Sequence, residues 1–201
     1  MTRIKFCGLS RISDIEAANE LRPDYIGFVF ASKSKRYVSP ERAAELKCSL
    51  EAEIKAVGVF VDDTPYHVAD LLNRGIIDIA QLHGSENEEY IGKLRQLTDK
   101  PIIRAYRIKT AEDIAEAEKS TADYVLLDSG AGTGMTFDWK LIKDMKRPYI
   151  LAGGLSPDNV ESTFEQLTPF AVDVSSGIET DGMKDKAKMA AFAVSVRGGN
   201  R

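Results

Sequence analysis

Five places where a short apolar run gives way to small or polar residues carry the groups best suited to chemistry: Cys7-Gly8, His83-Gly84, Asp128-Ser129, Gly153-Gly154 and Ser175-Ser176-Gly177. Cys7 ends the run Arg3-Ile4-Lys5-Phe6-Cys7. A thiolate at such an end can act as a base or nucleophile, because its ordinary pKa of about 8.5 falls beside positive charge or a helix N-terminus. Taken alone, the same cysteine reads as a small core hydrophobe. Asp128 follows Tyr124-Val125-Leu126-Leu127. Burial there can raise its pKa and keep it able to donate a proton; the plainer reading is a loop acid bonded to backbone N–H groups. Together Cys7 and Asp128 have the make-up of a base and an acid flanking one small substrate.

Gly153-Gly154 and Ser175-Ser176-Gly177 follow the last two strand-like runs. Either alone is an ordinary tight turn, but both together suit a phosphate held by backbone N–H groups, which a Cβ would keep at a distance. Arg36, within Ser32-Lys33-Ser34-Lys35-Arg36-Tyr37, sits in a charged and wet loop, yet its planar guanidinium could clamp a carboxylate through two parallel bonds. His83 suits substrate binding and loop-carbonyl bonding equally, His67 falls on a solvated helix, and Cys48 reads as structural. The loop Ser129 to Thr136 is rich in glycine and could serve as a connector or an active-site lid. It is not a nucleotide loop: Gly130, Gly132 and Gly134 fit neither phosphate-loop spacing, and Met135 stands where a lysine would precede Thr136.

The elements that must position these residues are strands alternating with helices. Eight β-rich runs are visible: Arg3 to Cys7, Tyr25 to Phe30, Ala56 to Val61, Ile77 to His83, Ile102 to Arg107, Tyr124 to Asp128, Tyr149 to Ala152 and Ala171 to Ser175. Helix starts are marked at Ser39-Pro40, Thr64-Pro65 and Ser156-Pro157, and by the capping-box pairs Ser13 with Glu16, Ser85 with Glu88 and Thr110 with Asp113. Alternation predicts a parallel sheet with right-handed crossovers. Eight units in 201 residues average about 25 residues each, which predicts a single-domain (β/α)8 barrel over residues 1–201, near the minimal size for that fold. A doubly wound open sheet, the rival, usually has about five or six strands.

Composition narrows the partners. With 27 Lys plus Arg against 31 Asp plus Glu, the net charge is −4, and the longest basic cluster, Lys33, Lys35 and Arg36, is too short to track a nucleic-acid backbone. The two cysteines have no metal or redox spacing, which suits a reducing, cytoplasmic setting. No apolar signal core or run near about 18 apolar residues occurs, so neither secretion nor membrane spanning is expected. No signal selects between a monomer and a homodimer.

With these residues assembled, the sequence resembles the phosphoribosylanthranilate isomerases of tryptophan biosynthesis along nearly its whole length. The resemblance is carried by Lys5-Phe6-Cys7-Gly8, Gly27-Phe28-Val29-Phe30, Ser34-Lys35-Arg36-Tyr37-Val38-Ser39-Pro40, Gly58-Val59-Phe60-Val61 and Gln81-Leu82-His83-Gly84. It continues through Leu126-Leu127-Asp128, Gly132-Thr133-Gly134 with Phe137-Asp138-Trp139, Ala152-Gly153-Gly154-Leu155 and Val172-Asp173-Val174-Ser175-Ser176-Gly177. It implies an Amadori rearrangement of N-(5-phospho-β-D-ribosyl)anthranilate to 1-(2-carboxyphenylamino)-1-deoxyribulose 5-phosphate, with no metal or organic cofactor. It also implies Asp128 as general acid, Cys7 as general base, Arg36 on the anthranilate carboxylate, His83 and Asp173 against substrate, and Gly153, Gly154, Ser175, Ser176 and Gly177 around the phosphate.

Two features depart from the family: Met135 replaces a common Lys or Arg, and Glu179-Thr180-Asp181-Gly182 lacks a frequent proline. The nearest rivals are the histidine-pathway isomerase, which has an aspartate where this chain has Cys7, and a catalytically silent phosphate-binding barrel.

Overall fold

The structure is a computed structural model that describes residues 1–128, 141–143 and 145–199. All eight expected runs form strands: β1 (Arg3–Cys7), β2 (Tyr25–Val29), β3 (Lys55–Phe60), β4 (Ile79–Leu82), β5 (Ile102–Arg107), β6 (Tyr124–Asp128), β7 (Tyr149–Ala152) and β8 (Ala171–Val174). Their ends differ from the expected ones by at most two residues. Each strand pairs in parallel with its neighbour in sequence, and β8 returns to β1 with Lys5 opposite Asp173, so the sheet closes as a barrel.

The α-helices among the described residues are α1 (Ile12–Leu21), α2 (Pro40–Cys48), α3 (Pro65–Asn73), α4 (Glu88–Arg95), α5 (Ala111–Lys119), α6 (Val160–Thr163) and α7 (Lys186–Gly199), and Ser176–Ile178 forms one 3-10 turn after β8. A short hairpin, β9 (Glu179–Thr180) with β10 (Met183–Lys184), joins β8 to α7. None of these helices is long and apolar enough to cross a membrane.

Three helix starts match expectation, because Ser39, Thr64 and Thr110 each accept a first-turn N–H, and Asp113 completes the box at Thr110. Three do not. Ser13 lies inside α1, which starts instead where Asp14 accepts from the backbone N–H of Ser10 and Arg11. Ser85 gives its hydroxyl to Asp62, and Asn87 caps α4. Ser156-Pro157 opens only a turn, and α6 begins at Val160.

Alternation along each strand divides the core in two. Outward residues such as Ile4, Phe6, Ile26 and Phe28 pack under the helices, while Val57, Ile79, Ile103, Leu126 and Ile150 fill the barrel. On β1 this leaves Lys5 and Cys7 pointing inward, and Lys5 is fully buried in that interior.

At the N-terminal ends of the strands an aspartate precedes β2, β4 and β6. Asp24, Asp78 and Asp123 accept from the backbone N–H of Ile4, Ala56 and Ile102 at 2.9, 2.8 and 2.7 Å, tying each of these strands to the one before it.

Candidate active site

The C-terminal ends of the strands surround a cavity of about 340 Å³. Of the ten site residues expected from the sequence, Cys7, Arg36, His83, Asp128, Gly153, Gly154, Asp173, Ser175 and Ser176 line it. Gly177 does not line it. A Cβ there would lie 2.0 Å from the Leu155 carbonyl oxygen, so its glycine lets the loops after β7 and β8 pack together. The loop 129–136, including Met135, lies outside the described residues, as do Phe137, Asp138 and Trp139.

Cys7 sits where β1 opens into the cavity. Gly27 on β2 makes room for it, since a Cβ at Gly27 would come within 2.7 Å of Sγ. Burial pushes the Cys7 thiol up, and the cations of Lys5 and Lys184 pull against that rise. Beneath the thiol, Lys5 donates from Nζ to Asp173 Oδ1 at 3.0 Å. Burial opposes the ammonium, but Asp173 and Cys7 outweigh it and hold the Lys5 pKa above its ordinary value. Asp173 therefore faces the cavity with one oxygen already engaged.

Asp128 ends β6. On the shorter way round the barrel it is separated from Cys7 by β7 and β8, whose loops carry Gly153, Gly154, Ser175 and Ser176. The backbone of Gly153 and Gly154 is left-handed, with φ of 95° and 63°, which explains glycine at both. Ser175 ties this side to β1 by donating its hydroxyl to the Cys7 carbonyl at 3.1 Å.

His83 stands 3.5 Å from Asp128, Nε2 to Oδ2, and its Nδ1 is 2.8 Å from Gln81 Nε2. Its imidazole thus faces the acid rather than loop carbonyls. The loop that carries it is clipped by Glu86, which accepts from the backbone N–H of Asp62 and Gly84 at 2.8 Å each. Gln81 is buried and lines the cavity, and its Oε1 has no partner among the described residues.

Arg36 crosses over Gly8, where a Cβ would meet its Cδ at 2.5 Å, and Gly8 has φ of 82°. Its guanidinium is bonded side-on to Glu179, Nε to Oε1 at 2.6 Å and Nη2 to Oε2 at 2.8 Å. Glu179 also accepts from Lys184 Nζ at 2.6 Å. Although burial opposes the charge, these two cations hold Glu179 down to about 2. Lys184, itself lowered by burial, donates further to the Ser175 carbonyl at 2.9 Å.

Lys5, Gln81, Glu179 and Lys184 were not singled out from the sequence as site residues. A lysine alternating with Cys7 on one strand face was the available signal for the first. For Glu179 and Lys184 there was none, because they reach the site through the β9–β10 hairpin.

Known proteins share this fold and sequence. Residues 4–194 match the sequence profile of the family described as N-(5'phosphoribosyl)anthranilate (PRA) isomerase. The N-(5'-phosphoribosyl)anthranilate isomerases of Thermoanaerobacter pseudethanolicus and Clostridium acetobutylicum are 43% and 44% identical to the chain, each alignment covering 98% of it and 99% and 98% of the respective relative. The crystal structure of phosphoribosyl anthranilate isomerase from Thermotoga maritima superposes with a TM-score of 0.90 at 36% identity, over 98% of this chain and 100% of that one. Another phosphoribosyl anthranilate isomerase structure, solved with reduced 1-(o-carboxyphenylamino)-1-deoxyribulose 5-phosphate, gives a TM-score of 0.88 at 37% identity, with the same coverage. A barrel of this closure, matched from end to end at these identities, belongs to the N-(5'-phosphoribosyl)anthranilate isomerase family.

Proposed function

We propose that the chain isomerises N-(5-phospho-β-D-ribosyl)anthranilate by acid–base catalysis, with Asp128 as the acid and Cys7 as the base. The observation that carries this reading is that both groups open onto one cavity, with the glycine and serine loops after β7 and β8 between them. Asp128 protonates the ribose ring oxygen, and the anthranilate nitrogen lone pair opens the ring to an iminium. The electron-poor C1=N bond acidifies the adjacent C2–H, so a thiolate is a sufficient base to remove that proton and give the enolamine. Tautomerisation to the ketone moves one proton from the C2 hydroxyl to C1. Asp128 has then lost one proton and Cys7 gained one, and exchange with solvent restores both. Ring opening and C2 deprotonation are each assigned to a side chain, so the scheme calls for no metal or organic cofactor.

The phosphate sits among Gly153, Gly154, Ser175 and Ser176, with Gly177 holding the two loops at the right separation. Arg36 takes the anthranilate carboxylate, using Nη1 and the outer N–H of Nη2, because Glu179 occupies its other edge. His83 stands beside the acid. The free thiols of Cys7 and Cys48 suit a reducing compartment, and we place the enzyme in the cytoplasm, in tryptophan biosynthesis. Turnover measured side by side on the anthranilate ribotide and on the aminoimidazole carboxamide ribotide tests the reading. Activity on the first is expected, and activity on the second alone would overturn it.

A further inference from the structure

We propose that the buried Lys5–Asp173 pair is a positioning device for Cys7: Lys5 supplies the counter-charge against which the thiol gives up its proton, and Asp173 keeps Lys5 charged and aimed. The inference rests on the reading of Cys7 as the base. Lys5 and Cys7 share the inward face of β1, Lys5 one layer deeper, and the side chain of Lys5 is fully buried. A lone ammonium inside a barrel forfeits its hydration with nothing to replace it, so such a group persists only with a partner. That partner is Asp173, opposite Lys5 in the β1–β8 register and 3.0 Å from its Nζ. An ammonium has three donors, and one carboxylate oxygen takes one of them. The Cys7 sulfur, directly above, is the acceptor that the ionised form of the site adds.

Charge around the thiol supports the same assignment. Among the described residues, the charged groups acting on it are Lys5 from β1, Asp173 from β8, Lys184 from β10 and Arg36 from the loop after β2, the last two sharing Glu179, with Asp128, the proposed acid, across the cavity. Three cations against two carboxylates leave one positive charge in excess while Cys7 is a thiol, and none when it is a thiolate. Of the three cations only Lys5 lies on the barrel side of the sulfur, beside Asp173 and away from the mouth where a substrate carboxylate would compete for the cation. The thiol proton leaves to solvent through the mouth, and the thiolate then takes the C2 proton of the iminium and becomes a thiol again. Lys5 keeps its own protons throughout, so it is a positioning residue rather than a catalytic one.

The test is alkylation of Cys7 by iodoacetamide across pH, in substrate-free protein carrying Cys48→Ser so that the exposed second thiol is silent. Lys5→Met should move the half-point of alkylation to higher pH by about one unit or more, roughly a tenfold loss of rate below the half-point. Lys5→Met strands the Asp173 carboxylate and can unfold the chain, so the double variant Lys5→Met/Asp173→Asn, which removes both charges, is measured alongside. It should also shift upward, by less than Lys5→Met alone because the Asp173 charge that raises the thiol is gone as well, and the acidic limb of kcat/KM should move with it. A folded double variant whose half-point matches that of its parent would overturn the inference. Alkylation uses no substrate, so a chain inactive on the anthranilate ribotide would defeat the proposed function without touching this result. Normal turnover with an unshifted half-point would defeat this inference alone.

Discussion

Arg36 and Glu179, 143 residues apart in sequence, meet side-on at the cavity mouth, Nε to Oε1 at 2.6 Å and Nη2 to Oε2 at 2.8 Å. The two-bond edge that an arginine ordinarily offers a carboxylate is therefore already taken within the protein. Glu179 orients the guanidinium, and in the function proposed above the substrate meets its outer edge. Arg36→Ala should raise KM about tenfold or more and change kcat less, since a carboxylate contact remote from the reacting carbon contributes mainly to uniform binding. Steady-state kinetics decide this, and an unchanged KM would remove Arg36 from the substrate's path.

The same pair makes stability depend on acid. Arg36 and Lys184 hold Glu179 down to about 2, against an ordinary 4.5. A carboxylate with a depressed folded pKa adds stability that is fully present above the unfolded value and disappears as pH falls through the folded one. The contribution should amount to about 1–2 kcal/mol, reduced from the full linkage value by solvent screening at the mouth. Glu179→Gln should then melt below the parent protein near neutral pH, and the gap should close as pH drops from about 4.5 to about 2. Thermal unfolding at several acid pH values measures it. A gap that stays constant over that window would mean that Glu179 contributes shape and no charge.

Cys7→Ala and Asp128→Asn should each lower turnover at least about 100-fold with the fold intact, the usual cost of losing a positioned base or acid. Both side chains line the cavity, and truncating either leaves the apolar packing beneath the helices in place. Near-normal turnover in either variant would withdraw its assigned role, and circular dichroism checks that the barrel has survived.

What the sequence disclosed follows from the range of the interactions. Strands and barrel closure were legible because β-branched runs and their punctuation are local, and so was the cap at Thr110, whose partner Asp113 lies three residues away. The cap at Arg11 was not legible, since arginine is no capping residue and Asp14 supplies the acceptors. Ser85 misled because Asp62, from another loop, takes its hydroxyl. The charged layer under the site was hidden for the same reason. Lys5 finds Asp173 only through the β1–β8 register, 168 residues apart, and Lys184 reaches Ser175 and Glu179 only once the hairpin has folded back. Cys7, Asp128 and the glycine and serine loops after β7 and β8 were legible by position as the lining of one cavity, because strand ends in this fold face one mouth.

The aspartates at the opposite end of the barrel offer the complementary test. Asp78 accepts from the backbone N–H of Ala56 at 2.8 Å and pairs with Lys47, joining β4 to β3 and to α2 at the N-terminal face. Removing it strands a partly buried N–H, and a hydrogen bond to a charged group contributes about 1.5–3 kcal/mol. For a domain of this size, Asp78→Ala should therefore lower Tm by about 4–10 °C. Because the cavity lies at the other end of the strands, kcat/KM at a temperature well below the melting transition should stay at the parent value. Differential scanning calorimetry and steady-state kinetics on one preparation read both quantities. A variant that melts normally but turns over slowly would show that the two faces are coupled through the strands, contrary to this division of labour.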